Sequence, residues 1–401
     1  MHTPQSRFHR RLAQALLALG LWSFLALAHA GKPYAYTALG HPSQRSTASP
    51  AAAPSLMLMG GGYDVGEAFR WMITRAGITP QTGGHFLVIR ASGTDAYNPY
   101  IFSDAGTIDP TTPKNYDMVG GKTMGLLSVA TLVIPSRAAA NDPDVEAYIQ
   151  NASAIFIAGG DQADYYSDWR GTKVELALRD ALSRRIPLGG TSAGAEILSQ
   201  FAFVALRGGV TSTQALGDPF NKYMSIDPLN TAYASNNSFL NFGPLARTIA
   251  DVHVNTRDRL GRSIAFMARL GMSCGGPFSD LGNTAIAVDE ETALLIAAEA
   301  PAWQLAVNPY NKDNFTSGLY HPANSVYFIS ATTSPAACKS GTPLSYQSAG
   351  VKVTRWSAAG SPPVTSLPNS SYTAPQTSLS DAYYGVNKGV ITFNNGTAAP
   401  Y

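Results

Sequence analysis

Residues 186–196 read IPLGGTSAGAE. A short apolar strand at 186–188 runs into two glycines, a turn of small residues and the start of a helix. Gly190, Ser192 and Gly194 form a G-x-S-x-G pattern in that strand-to-helix setting, which lifts the serine oxygen clear of the backbone. The small neighbours permit a strained backbone and a close approach by another molecule. A helix beginning at this point also aims its first N–H groups at any developing anion. Ser192 is therefore the candidate nucleophile, and the strand–turn–helix context predicts a sheet covered by helices.

The same alternation extends outward on both sides. Residues 56–59 (LMLM) form a strand broken by Gly60, Gly61 and Gly62, and a helix follows with Val65, Phe69, Met72 and Ile73 on one face. Residues 85–90 (HFLVIR), 131–134 (TLVI) and 155–158 (IFIA) are further strands. Asn141 or Asp142 caps a helix whose first turn holds Pro143. The stretch 173–185 is amphipathic, with Val174, Ala177, Leu178, Ala181 and Leu182 facing in. Short apolar runs alternating with helices predict an α/β fold with a mostly parallel sheet and helices on both faces. After about residue 280 the pattern changes. Residues 285–296 read as a hairpin, and 326–329, 351–356 and 390–393 as short strands among loops. The expected division is a signal at 1–30, a flexible leader at 31–54, an α/β domain at 55–310 and a β-rich extension at 311–401.

Composition limits the function classes. The 401 residues are 45% hydrophobic and 13% charged, with a formal charge of +2. That balance leaves no electrostatic footprint for nucleic acid. Arg7, Arg10 and Arg11 precede the largely apolar run 12–27, and Ala28-His29-Ala30 supplies a small-x-small cleavage site. The expectation is a secreted or periplasmic protein with no membrane association once the signal is removed. A membrane anchor is the alternative, for which the run is short, since a bilayer needs about 20 residues. The only cysteines, Cys274 and Cys338, are too few for a cysteine-rich zinc site. In an oxidising compartment they can close one disulfide, or they can remain two buried thiols.

A nucleophilic serine needs a base, and only His253 and His321 follow Ser192 in the chain. His253 lies in the polar segment DVHVNTRDRLGR (251–262), and His321 in a Tyr-His-Pro loop. The aspartates between Ser192 and His253 are Asp218, Asp227 and Asp251. Asp251 is two residues from the histidine, so on a strand both face one side. Asp218 is the rival orienting acid. Arg257, Arg259 and Arg262 can bind a carboxylate through forked hydrogen bonds. Gly159 and Gly160 end a buried strand, where backbone N–H groups can complete an oxyanion hole and Gln162 can orient a substrate. Asp95, Tyr97 and Asn98 follow another strand at the edge where open α/β sheets bind ligands.

Together SAIFIAGGDQ (153–162), GGTSAGAE (189–196), DVHVNTRDRLGR (251–262), VIRASGTDAYNPY (88–100) and VDEETALLI (288–296) resemble the cyanophycinase and aspartyl dipeptidase family of serine peptidases. The resemblance spans residues 56–296 in the right order. It implies a flavodoxin-like α/β sandwich related to class I amidotransferases. It also implies Ser192 as nucleophile, His253 as base, and Gly160 and Ala193 as oxyanion-hole donors. Gln162, Asp251, Arg257, Arg259 and Arg262 correspond to pocket residues, while Val252 stands where the cyanophycin-degrading members usually have Gln. The implied reaction is hydrolysis at aspartyl residues without metal or cofactor, on cyanophycin or another aspartyl peptide, by a chain that can form a homodimer. Two rivals are an α/β-hydrolase esterase, whose triad order favours His321, and a secreted binding relative without turnover.

Overall fold

The computed structural model describes residues 31–103, 118–229, 238–298, 303–307, 325–357 and 379–393. The expected signal at 1–30 and the rival His321 lie outside them. Residues 1–33 and 34–401 form two units, and the architecture below belongs to the second.

Strands that are apolar on both faces build the centre of the first sheet. The strands in chain order are β1 (Ala35–Gly40), β2 (Ser55–Met59), β3 (Gly84–Arg90), β4 (Leu126–Val133), β5 (Ala154–Ile157) and β6 (Leu188–Thr191). After them come β7 (Ala202–Phe203), β8 (Ile226–Asp227), β9 (Thr248–Val252), β10 (Thr284–Val288), β11 (Thr292–Ala297) and β12 (Trp303–Val307). The last four are β13 (Ser325–Ala331), β14 (Tyr346–Ser357), β15 (Leu379–Asn387) and β16 (Val390–Phe393). The first sheet has the order β1-β4-β3-β5-β6-β2-β11-β12. Its five central strands, β4 to β2, are parallel, and the flanking strands are antiparallel. Helices cover both faces, as the alternation predicts, because alternate residues of one strand enter different cores. Met57 and Met59 pack with Phe69, Met72 and Ile73 of the helix Gly66–Arg75. Leu56 and Leu58 share the opposite core with Val174 and Leu178 of the helix Lys173–Ser183. Each such side chain stabilises the fold by roughly 1.5–3 kcal/mol. Asp142 caps the helix Pro143–Gln150 by accepting from the Asp144 N–H at 2.8 Å.

The second sheet has the order β16-β15-β14-β13-β10-β9, parallel only between β9 and β10. One face, with Val252, Ile286, Val326 and Trp356, joins the core beneath the first sheet. The other face packs with Ile264 and Phe266 of the helix Leu260–Arg269.

Three sequence expectations change. The leader 31–54 contains β1, whose Tyr36 and Ala38, with Tyr34 just before it, alternate toward the core, and Tyr36 stacks on Tyr148 with ring centroids 4.0 Å apart. Two tyrosines and an alanine carry a period-two pattern that counting aliphatic residues misses. The hairpin at 285–296 does not form, because β10 and β11 enter different sheets. Both strands are buried throughout, so each needs a cover on both faces, which an isolated hairpin does not offer. The boundary near residue 310 runs through the second sheet, which pairs β10 with β13. Cys274 and Cys338 form a disulfide across that boundary.

Candidate active site

Ser192 follows β6 with φ 53° and ψ −126°, a strained conformation for a residue with a Cβ. The turn closes only with glycine on either side. A Cβ on Gly190 would come within 2.4 Å of the Gly194 carbonyl oxygen, and one on Gly194 within 2.2 Å of the Ile157 oxygen. The helix that follows, Ala193–Glu196, is a single turn, so its dipole contributes less than the predicted helix would.

Facing the serine is His253, which is 5% exposed. The Ser192 hydroxyl lies 2.7 Å from His253 Nε2, and His253 Nδ1 lies 2.5 Å from Glu290 Oε1. His253 comes just after β9 and Glu290 shortly after β10, two neighbouring parallel strands of the second sheet. The His253 backbone has φ 52°, and its N–H donates to the Gly60 oxygen at 3.0 Å. The ring lies on Gly61, where a Cβ would meet its Cε1 at 2.2 Å. The candidate active site therefore joins the two sheets: the first carries Ser192, and the second carries His253 and Glu290.

The electrostatics match those roles. Burial holds the His253 imidazole below its ordinary pKa, and Arg257 and Arg259 push the same way against the opposing Glu290. Burial alone would raise Glu290, but the His253 hydrogen bond, Thr256 and Arg257 outweigh it and hold the carboxyl below its usual range. An ionised Glu290 accepts the Nδ1–H, which leaves Nε2 to accept the serine proton. Glu290, and neither aspartate weighed from the sequence, is the acid that meets His253. It lies beyond His253, inside the stretch VDEETALLI, so only a search that includes glutamates after the histidine reaches it.

Neither expected aspartate orients the histidine. The positive φ at His253 ends the strand parity that would have put Asp251 on its side. Asp251 is buried and accepts from Arg262 Nε at 3.0 Å and from the Ser263 hydroxyl at 2.6 Å. The Asp218 carboxylate accepts from the Phe220 N–H at 2.9 Å, and its charge supports Arg269.

The expected pocket residues divide. Arg262, 2% exposed, bridges Asp251 and Glu196, with its Nη2 2.8 Å from Glu196 Oε1, and its guanidinium lies beside the stacked rings of Phe203 and Phe266. Arg259 donates to the Val252 oxygen at 3.0 Å and lies 3.5 Å from Glu196. Gln162 donates to Glu196. Burial raises the Glu196 pKa to about 7, opposed by Arg262. This cluster consumes most of the polar groups expected to meet substrate. Asn98 is fully buried and ties β1 to β4, donating to the Thr37 oxygen at 3.0 Å and accepting from the Thr131 hydroxyl at 2.7 Å. Asp95 is exposed in the turn before the helix Tyr97–Phe102. Arg257 is also exposed, with its charge felt by both His253 and Glu290. A Cβ on Gly159 would lie 3.4 Å from the Ser192 Cβ, which puts the turn at Gly159 and Gly160 beside the nucleophile. Among the described residues, neither the Gly160 nor the Ala193 N–H enters a backbone hydrogen bond.

Residues 114–208, which include the serine elbow, match the profile of peptidase family S51. The chain resembles that family. It is 25% identical over 187 residues to a cyanophycinase of Geminocystis herdmanii, covering 45% of this chain and 61% of the relative. It is 26% identical over 177 residues to a cyanophycinase of a Nostoc species, covering 41% and 53% respectively. The chain thus spans a little over half the length of the relatives it matches. A peptidase structure from an acI-B1 actinobacterium aligns with a TM-score of 0.39 at 16% identity, over 64% of this chain and 88% of that one. The profile match and the two relatives bear out, at the family level, the resemblance read from the sequence motifs.

Proposed function

We propose that this chain is a serine-type peptidase that hydrolyses an aspartyl peptide through an acyl-enzyme. The observation that carries the reading is the continuous line from Ser192 through His253 to Glu290, with distances of 2.7 and 2.5 Å. His253 Nε2 takes the serine proton as Oγ attacks the substrate carbonyl, and Glu290 stabilises the imidazolium that forms. The N–H groups of Gly160 and Ala193 hold the oxyanion, each donor being worth about 10²–10³ in rate. His253 returns its proton to the leaving amine, then activates the water that releases the acyl group. Arg257, exposed at the rim, supplies the cation for a substrate carboxylate.

Similarity to the two cyanophycinases supports cyanophycin as substrate, with β-aspartyl-arginine dipeptides as product. The Arg-rich head, apolar run and Ala28-His29-Ala30 site support export of the protein before it meets that polymer. The test is release of β-aspartyl-arginine from insoluble cyanophycin by the purified protein beside a Ser192→Ala control. Release by the first alone supports both substrate and nucleophile. If neither releases dipeptide while a fluorophosphonate labels Ser192, the substrate is a different aspartyl peptide. If no serine probe reacts, the catalytic reading fails.

A further inference from the structure

The turn carrying Glu290 is held from three sides. Its own N–H donates to the Asn255 side chain at 3.1 Å, and the Glu291 N–H donates to the Gly61 oxygen at 2.8 Å. The third hold is Asp289, which is fully buried where the first and second sheets diverge. Asp289 Oδ2 accepts from the Ser325 N–H at 3.2 Å and lies 3.4 Å from the Tyr327 hydroxyl, both on β13. The Asp289 N–H in turn donates to the Ser325 oxygen at 3.1 Å, and Arg355 of β14 donates to the Ser325 hydroxyl at 2.8 Å. On the other side the Asp289 carbonyl is so close to Gly60 that a Cβ there would lie 1.8 Å away. Asp289 Oδ1 has no hydrogen-bond partner among the described residues. A buried carboxyl with an unsatisfied oxygen costs stability, so packing alone favours an apolar residue at this place.

We propose that Asp289 is a positioning residue, which locks the turn bearing Glu290 onto β13 and so makes the C-terminal sheet part of the catalytic machinery. The proposal rests on the serine-peptidase reading for its effect on rate, but its geometric content stands apart from turnover. Without the Asp289 anchor, Glu290 moves away from His253 Nδ1. Because Glu290 raises the His253 pKa, its departure lowers that pKa further. The other charged and titratable groups facing Asp289 are Arg355 of β14 and Tyr327 of β13, and both remain in the variants.

The experiment uses the full chain with Asp289→Ala and Asp289→Asn. One readout is the His253 titration by NMR, and the other is the pH dependence of Ser192 labelling by a fluorophosphonate. Asp289→Ala is expected to lower the His253 pKa and slow labelling roughly ten- to a hundredfold, as a misplacement of about 1 Å would. Asp289→Asn keeps an acceptor for the Ser325 N–H and is expected to restore both. In a Glu290→Gln background, Asp289→Ala is expected to add almost nothing. Where Asp289→Ala does not fold, Asp289→Ser takes its place, since its hydroxyl is too short to reach Ser325. An unchanged His253 titration in the alanine or serine variant overturns the proposal. So does equal slowing by the alanine and asparagine variants with the acidic limb unmoved. A wild-type protein that no probe labels refutes the peptidase reading, and the NMR titration still decides the role of Asp289.

Discussion

Two polar clusters flank the end of β9, and residues two apart in the sequence belong to different ones. His253 joins Ser192 and Glu290 in a line that leads to the surface, with one proton acceptor at each junction. Asp251 joins Arg262, Glu196, Arg259 and Gln162 in a closed set whose hydrogen bonds are spent on one another. His253 in the first and Asp251, Glu196 and Arg262 in the second are buried, and both clusters pair acids with bases. The difference is that the first leaves the Ser192 side of the line partly exposed, whereas the second satisfies its charges internally. Buried charge is therefore no sign of catalysis until its partners are counted. The closed cluster is a rigid base from which β9 delivers His253 to the serine.

The largest expected effect breaks the open line at its head. Ser192→Ala is expected to reduce turnover by about six orders of magnitude while leaving the urea unfolding midpoint near that of the wild type. Glu290→Gln is expected to cost about 10⁴ in kcat, because the amide favours the wrong imidazole tautomer. Asp218→Asn is expected to keep activity within a few-fold, and steady-state kinetics on the pair would assign the orienting acid. The closed cluster is expected to respond in stability. Asp251→Ala leaves the Arg262 guanidinium buried without its main partner and is expected to cost about 3–5 kcal/mol in denaturant unfolding. Removing the Cys274–Cys338 bond by double alanine substitution is expected to cost up to about 4 kcal/mol, since it releases a loop of 64 residues.

The smallest effect sharpens the comparison through pH. The base must be neutral to accept the serine proton, and burial holds the His253 pKa down. The acidic limb of kcat/KM is therefore expected below the ordinary imidazole value of about 6.5. Glu290→Gln removes the carboxylate that raises that pKa, so the limb is expected to move lower still while the plateau falls. A limb above the imidazole value would show that the ring is not buried as described.

How far the sequence could be read depended on the range of the interactions. The elbow was legible because strand, glycines, serine and turn are contiguous, and the local pattern contains the reason for the strain. The parallel core was legible because β2, β3 and β5 are short apolar runs bounded by glycine or polar turns. The strand β1 was missed because its inward side chains are tyrosines within a Ser- and Pro-rich segment. Asp251 was misplaced because parity along a strand was extended one residue past its end. Glu290 was missed because its neighbour His253 is 37 residues earlier in the chain.

The sequence by itself determined the serine elbow, the alternation that makes a helix-covered parallel sheet, and the set of polar residues near the site. Those follow from hydrogen-bonding capacity, side-chain size and period, which are properties of neighbouring residues. Only the tertiary structure decided which acid meets which base. The second sheet brings β9, β10 and β13 together from segments as far apart as residues 248 and 331. The positive φ at His253 then turns its ring from Asp251 toward Ser192. A charge pair depends on distances of a few ångströms, and no spacing along the chain specifies them until the sheets have closed.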